Sequence, residues 1–281
     1  MTVPAALAAG ACFAVAGVLQ QWAAVRQPDG DTLTLRLVRR LAREPLWLAG
    51  ITLAVLAYGF QALALAYGPL SLVQPLIISE LLFAIPLSAR LRRRSLGARE
   101  WLGTLAVTAG LTTALAAARP HGGDPAVPPG AWLATLATVG GLVALALAAG
   151  RRTAGAPRAS LLGVAGGLVM GTQSVLLDAT VDRLGAGPVA VLTAWQTYLL
   201  VVASVAGLVL IQSAFQAGPL AASMPAIDAT EPAVAVTVGV AVFGETVSTE
   251  PLALSLTAVG VAVLLAGIVL LDTSQLFRKL E

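Results

Sequence analysis

The sequence predicts an all-α membrane protein, a bundle of about nine transmembrane helices arranged as an inverted internal repeat. Three observations carry that expectation. Of 281 residues, 58% are hydrophobic and only 11% are charged, whereas a soluble domain carries roughly 25% charged residues. Apolar runs of about 20 residues recur without the alternation of barrel strands. A Gly-Pro-Leu segment also returns 150 residues further along in the same context. With so little charge and a mean hydropathy of +0.87, the chain needs lipid as solvent for most of its surface. In lipid every backbone polar group must be bonded internally, which leaves helices or a closed barrel. The run lengths select helices.

In chain order, the apolar windows place helices near residues 3–25, 46–66, 70–90, 101–118, 130–149, 159–178, 188–211, 218–243 and 252–271. Basic residues then assign the sides. Connections after odd-numbered helices, with the C-terminal tail, hold Arg26, Arg36, Arg39, Arg40, Arg43, Arg90, Arg92, Arg93, Arg94, Arg99, Arg151, Arg152, Arg158, Arg278 and Lys279. The opposite side holds Arg119 and Arg183. Such an excess is the positive-inside pattern, so the N-terminus is expected outside and the C-terminus in the cytoplasm. No Lys or Arg precedes the first helix, so a cleaved signal peptide is not expected there. Segment 31–44 puts Arg36, Arg39, Arg40 and Arg43 on one helical face, with Leu33, Leu37 and Leu41 elsewhere. It reads either as an amphipathic helix on the anionic leaflet or as a solvated basic loop.

The repeat is read from GPLSLVQPLI at 68–77 and GPLAASMPAI at 218–227. The offset of 150 residues also places Gly110 on Gly260, Leu102 on Leu252 and Val55 on Val205. Helices two to four thus match helices seven to nine, and the first matches the sixth. The fifth is a connector after a linker rich in Pro and Gly. The organisation expected is a first repeat at 1–118, a linker and connector helix at 119–158, and a second repeat at 159–281. An odd offset in helix number turns the second copy upside down, the arrangement of many secondary transporters.

A charge at the membrane centre costs roughly 2.5–3.5 kcal/mol on insertion scales, so charges retained there point to function. Three acids lie near mid-depth, Glu80 in the third helix and Asp228 with Glu231 in the eighth. No Lys or Arg is expected at that depth. The acids are left with protonation, hydrogen bonding or a bound cation. Asp228 and Glu231 are three residues apart and share a helix face, and Met224 lies one turn before Asp228 on it. Pro75 and Pro86 flank Glu80, and Pro225 and Pro232 flank the acidic pair. Proline frees a carbonyl one turn back, and helix breaks at matching places in two repeats mark binding sites. Tyr58, Gln61, Gln74, Gln173, Gln196, Gln212 and Thr230 add uncharged polar groups within the spans, each equally able to serve as an interhelical hydrogen bond. Gln20 and Tyr198 are of the same kind, and Asp178 with Asp182 reads as a solvated helix end. One Cys and one His exclude a disulfide framework and a histidine metal centre.

A further set of residues carries a family resemblance. Trp47-Leu-Ala-Gly50 opens the second helix, which ends Ala-Leu-Ala-Tyr-Gly-Pro-Leu; a Pro-bearing helix, a basic link and a helix with Gly103 and Gly110 follow. The second half closes with Phe243-Gly244-Glu245 before its last helix, where the first has Arg92–Arg94. The chain thereby resembles the drug/metabolite transporter superfamily with its EamA-type repeats. Nine helices, with a polar stretch in place of a second helix, are most similar to its NIPA-type magnesium transporter branch. The resemblance implies a transporter fold and assigns no role to Glu80, Asp228 or Glu231.

The function expected is a secondary carrier for a cation or small polar metabolite, coupled to protons, in a bacterial inner membrane. Magnesium is the second expectation, since it keeps most of its water and needs one or two carboxylates; the three acids would be its ligands. A non-transporting scaffold or receptor is the third. The partners expected are the bilayer, the solute and protons. No enzymatic activity, cofactor or nucleic acid is expected, and a homodimer is left open. Aromatic residues make up 5% of the chain, which counts against a multidrug pocket.

Overall fold

The structure is a computed structural model, and it describes residues 1–67, 76–91, 93, 95–119, 129–244 and 246–272. Among them are eleven α-helices: α1 (Thr2–Ala24), α2 (Leu35–Leu41), α3 (Pro45–Tyr67), α4 (Glu80–Leu91), α5 (Ala98–Ala118), α6 (Pro129–Gly150), α7 (Gly155–Asp182), α8 (Pro188–Thr193), α9 (Trp195–Ala217), α10 (Leu220–Val242) and α11 (Pro251–Asp272). The protein is an all-helical, multi-pass membrane protein. Seven of the described helices (α1, α5, α6, α7, α9, α10 and α11) are long and apolar enough to cross a bilayer. The expected count was nine. The difference falls on two helices that border residues outside the described ones: α3, 23 residues long, is counted over Pro45–Gln61 and together with α2 across a 92° bend, and α4 is described over 12 residues.

Most expected boundaries hold within a few residues, and two expectations are corrected. The apolar run 188–211 is not one span, because the chain turns extended at Ala194 between α8 and α9. The Thr197 and Tyr198 hydroxyls donate back to the Val191 and Leu192 carbonyls, at 2.7 and 2.8 Å, and tie the two helices together across that corner. The span is therefore 195–217, and hydropathy missed the corner because α8 is as apolar as the helix that follows. Among the described residues, no helix ends at Pro86, Pro225 or Pro232, where breaks were expected. α10 runs unbroken through Pro225 and Pro232, and Pro86 lies inside α4. α4 instead starts after a turn at Ser79. Pro75 and Gln74 lie outside the described residues. Proline deletes one helical bond, and in a bundle the neighbouring helices hold the segment straight.

Close packing follows small residues. α7 presents Gly163, Gly167 and Gly171, four apart on one face, to α10. A Cβ added at Gly167 would lie 2.8 Å from the Thr230 Cβ and 2.9 Å from the Ile227 carbonyl oxygen. α5 and α11 cross antiparallel, with Gly103 against Gly267, Gly110 against Gly260, and the Ser248 N–H donating to the Ala118 carbonyl at 2.9 Å. Gly110 and Gly260 are the residues that the 150-residue offset equates, and each faces the other's carbonyl oxygen. An antiparallel crossing of two helices at paired glycines produces such a reciprocal contact. The same offset lays α3 (Pro45–Tyr67) on α9 (Trp195–Ala217), end for end.

The two ends of the bundle differ. At one end Trp132, Trp195 and Phe243 stack edge to face, with ring centroids 5.3 and 5.8 Å apart. At the other a polar seam joins α1, α2 and α3 to α9 and the start of α10. The fully buried Gln212 accepts from Trp47 Nε1 at 3.0 Å and donates to Gln20 Oε1 at 2.8 Å. Gln21 donates to the Gly218 carbonyl at 2.8 Å. Thr32 donates to Gln216 Oε1 at 2.8 Å, and Gln216 donates onward to the Gln27 and Pro28 carbonyls. Leu33 N–H donates to Ser213 Oγ at 2.9 Å, and Arg40 pairs with Asp31 at 2.6 Å. Of the two readings of segment 31–44, the helix is the one found. α2 buries Leu37 and Leu41 and leaves Arg36, Arg39 and Arg40 exposed.

Two packing predictions follow. Gly110→Ala should lower the stability of the detergent-solubilised protein by about 1–3 kcal/mol, because the new methyl meets backbone. Gly140→Ala, with nothing within 4 Å, should leave the melting temperature unchanged or raise it slightly. Gln212→Ala should cost about 1–3 kcal/mol, since it strands the buried Gln20 and Trp47 groups; a melt indistinguishable from wild type would contradict the seam.

Candidate functional site: facing carboxyl groups between two helices

Glu80 is the first residue of α4. The turn before it is held by the Ser79 hydroxyl, which donates to the Leu76 carbonyl, and by Leu82 N–H, which donates to the Ser79 carbonyl. α1 presses on this turn through Gly10, where an added Cβ would lie 3.1 Å from the Ile77 carbonyl oxygen and 3.6 Å from Glu80 N. A glycine there eases this close approach of the two backbones, and the contact sets the Glu80 turn against α1.

Asp228 and Glu231 stand near the middle of α10, whose approach to α7 is set by Gly163, Gly167 and Gly171. Gly167, Gly171 and Ser174 share one face of α7. Ser174 Oγ donates to Glu231 Oε1 at 3.4 Å. That turns Glu231 toward α7, whereas the Asp228 carboxyl faces Glu80 within hydrogen-bonding reach. Glu80 Oε2 and Asp228 Oδ2 are both buried and have no donor. These observations agree: two carboxyl groups hydrogen-bond each other only when one of them carries a proton. The charged groups that act on the pair are each other and Glu231, and among the described residues no Lys or Arg forms an ion pair with any of the three. Pro232 lacks an N–H, so the Asp228 carbonyl also loses its helical donor.

Tyr58 closes the cluster from α3. It is 60% exposed, yet it stands close enough to Glu80 and Glu231 to feel both charges. Its ring meets Phe13 of α1 edge to face, with centroids 5.0 Å apart. Gly10, Phe13 and Gly17 lie on one face of α1, and Gly17 abuts the Met224 methyl, one turn before Asp228.

The remaining expected site residues are scattered. Gln61 and Gln173 are half-buried on α3 and α7. Thr230 is half-buried and donates to the Ala226 carbonyl at 2.7 Å. Gln196 is buried at the start of α9, with Oε1 unpartnered, far along the helix from Gln212. Gln212 has both amide functions engaged by Gln20 and Trp47 and belongs to the polar seam. The side chains of Asp178 and Asp182 lie outside the described residues. Among the described residues no group of three or more His, Cys, Asp or Glu side chains is arranged to hold a metal ion. Sequence reasoning overlooked Ser174, although it follows Gly171 by three on the glycine face, and Phe13, which reads as an ordinary apolar residue.

Comparison with known proteins adds kinship without chemistry. An uncharacterized protein of Corynebacterium glutamicum is 33% identical over 247 residues, covering 85% of this chain and 83% of its own. No family model and no solved structure matches the chain.

The geometry predicts unequal effects at one position. Glu80→Gln supplies a permanent N–H donor to Asp228 and should leave the melting temperature near that of wild type. Glu80→Ala leaves the Asp228 carboxyl buried without a partner and should cost about 1–3 kcal/mol. Equal melts for the two variants would show that the carboxyl groups do not meet.

Proposed function

We propose that this chain, which belongs to one family with the uncharacterized corynebacterial protein, is a secondary transporter that carries a cation or small polar metabolite through a bacterial inner membrane by alternating access, with protons as the coupling ion. The observation that carries the reading is the facing Glu80–Asp228 pair in the middle of the spans, away from any described basic side chain. At helix-core depth two ionised carboxylates in contact repel strongly. A proton between them, or a cation in its place, relieves that repulsion. Exchange of one for the other is the elementary act of a proton-coupled carrier.

The rest of the architecture supports alternation. The 150-residue repeat, the antiparallel α5–α11 crossing at Gly110 and Gly260 and the end-for-end match of α3 and α9 support two inverted halves of four spans each, with α6 as the connector. Orientation follows the basic residues, with the Arg-rich polar seam on the cytoplasmic side. In this state the seam between Gln20, Trp47, Gln212 and Gln216 closes the cytoplasmic end. Inward release of solute would require it to part. The resemblance to the drug/metabolite transporter superfamily agrees with this reading, and the bacterial relative agrees with a bacterial membrane. Magnesium transport of the NIPA type is the alternative reading, since one or two carboxylates with retained water serve that ion; the described residues hold no group of three metal-ligating side chains.

The test is flux in proteoliposomes under an imposed pH gradient. Glu80→Gln and Asp228→Asn should each slow solute-driven proton movement at least tenfold, and Glu231→Gln should weaken it, with all three proteins folded. Undiminished transport by a folded triple variant would remove the acids from the mechanism and leave a scaffold or a differently sited carrier.

A further inference from the structure

The face of α1 that carries Gly10, Phe13 and Gly17 brings three things into register. Gly10 meets the Glu80 backbone, Phe13 meets the Tyr58 ring, and Gly17 meets Met224, one turn from Asp228. One face of α1 thus gathers the turn that carries Glu80, the Phe13–Tyr58 ring pair and the Met224 thioether, one turn from Asp228. Two carboxylates with retained water would serve a small hard cation such as magnesium, so the carboxyl pair alone does not choose between an inorganic and an organic cation, and Glu231 is turned to Ser174. A ring beside carboxylates suits a cation with diffuse charge and an apolar skin. Tyr58 has the accessible ring surface for it, and Met224 is an adaptable apolar wall.

Resting on the transport reading above, we propose that the transported solute is a protonated amine, with its ammonium hydrogen-bonded to Glu80 and Asp228 and its charge lying over the Tyr58 ring. Charge balance follows from the pair itself. When the ammonium enters between Glu80 and Asp228, the proton they hold leaves to water, so one positive charge replaces another and the pair with its occupant keeps a net charge of minus one. Glu231, held by Ser174, contributes field without giving up its own partner. The titratable groups that face this space among the described residues are Glu80, Asp228, Glu231 and Tyr58. This also revises the weight of the low aromatic content, because one ring in the right place is sufficient for one amine.

The experiment uses the full chain in proteoliposomes containing a pH-sensitive dye. Ethylamine, benzylamine and tetramethylammonium are added in turn, with magnesium, sodium and potassium chlorides as inorganic probes. Protons should move in exchange for ethylamine and benzylamine, and the inorganic salts should give less than a tenth of that rate. Dye response to free amine crossing the lipid is removed by subtracting the signal of vesicles carrying Asp228→Asn. Tyr58→Phe should keep the apparent amine affinity within about twofold, and Tyr58→Leu should weaken it about tenfold, the scale of a desolvated cation–π contact. Tyr58→Leu should melt like wild type, because the side chain is exposed. Magnesium- or sodium-driven exchange without an amine response would overturn the amine assignment and leave the transport reading standing. Absence of any response from a folded protein would overturn both. Equal amine affinities for the Phe and Leu variants would remove Tyr58 from the site.

Discussion

Two carboxyl groups that face each other, each with a buried oxygen that has no donor and neither ion-paired to a basic side chain among the described residues, set the terms for everything else in this molecule. Burying an isolated charge costs several kcal/mol even after relaxation, and burying two of like sign in contact costs more. Glu80 and Asp228 come from opposite halves of the chain, on helices that pack through α1 and α7. The fold must hold them together against that repulsion. It does so with close backbone contacts, tight at Gly10 beneath the Glu80 turn and too close for a Cβ at Gly163, Gly167 and Gly171 beneath α10. The glycines that make the packing tight are thus the ones that bring the acids face to face.

The polar groups of the bundle divide between two tasks. Near one end glutamines, threonines and a tryptophan are saturated by one another, and Gln212 spends both amide functions on protein partners. Near mid-span the acids retain oxygens without donors. Saturated networks hold helices in place, while unsaturated groups await a ligand or a proton. Both sets join the first half of the chain to the second, so a change at the acids and a change at the seam bear on one interface. On the proposed transport reading, that shared interface would couple solute binding at mid-depth to opening at the Arg-rich end.

Much of this was legible in the sequence, for reasons that differ by element. Helix positions were readable because lipid leaves hydropathy as nearly the sole determinant of a span, and α1, α3, α6 and α11 fall within a few residues of expectation. The acids stood out because charge at that depth is costly. Their grouping was less readable. Spacing put Asp228 and Glu231 on one face, but the structure pairs Asp228 with Glu80 and gives Glu231 to Ser174, since helix rotation is set by packing against neighbours. Gln212 looked like a cavity residue and is a packing hub, because composition does not reveal where its partners Gln20 and Trp47 stand. The corner at Ala194 escaped notice because α8 and α9 are equally apolar, and the prolines of α10 misled because neighbouring helices keep that helix straight.

The central claim is that Glu80 and Asp228 hold one proton between them when no solute is bound. Infrared difference spectroscopy of the protein in lipid at neutral pH, in water and in heavy water, reads that proton through the C=O stretch of a neutral carboxyl group. The account predicts a deuterium-sensitive neutral-carboxyl band in the wild type that is lost in both Glu80→Gln and Asp228→Asn. A wild-type spectrum with ionised carboxylates alone, or a band that survives both substitutions, would contradict it.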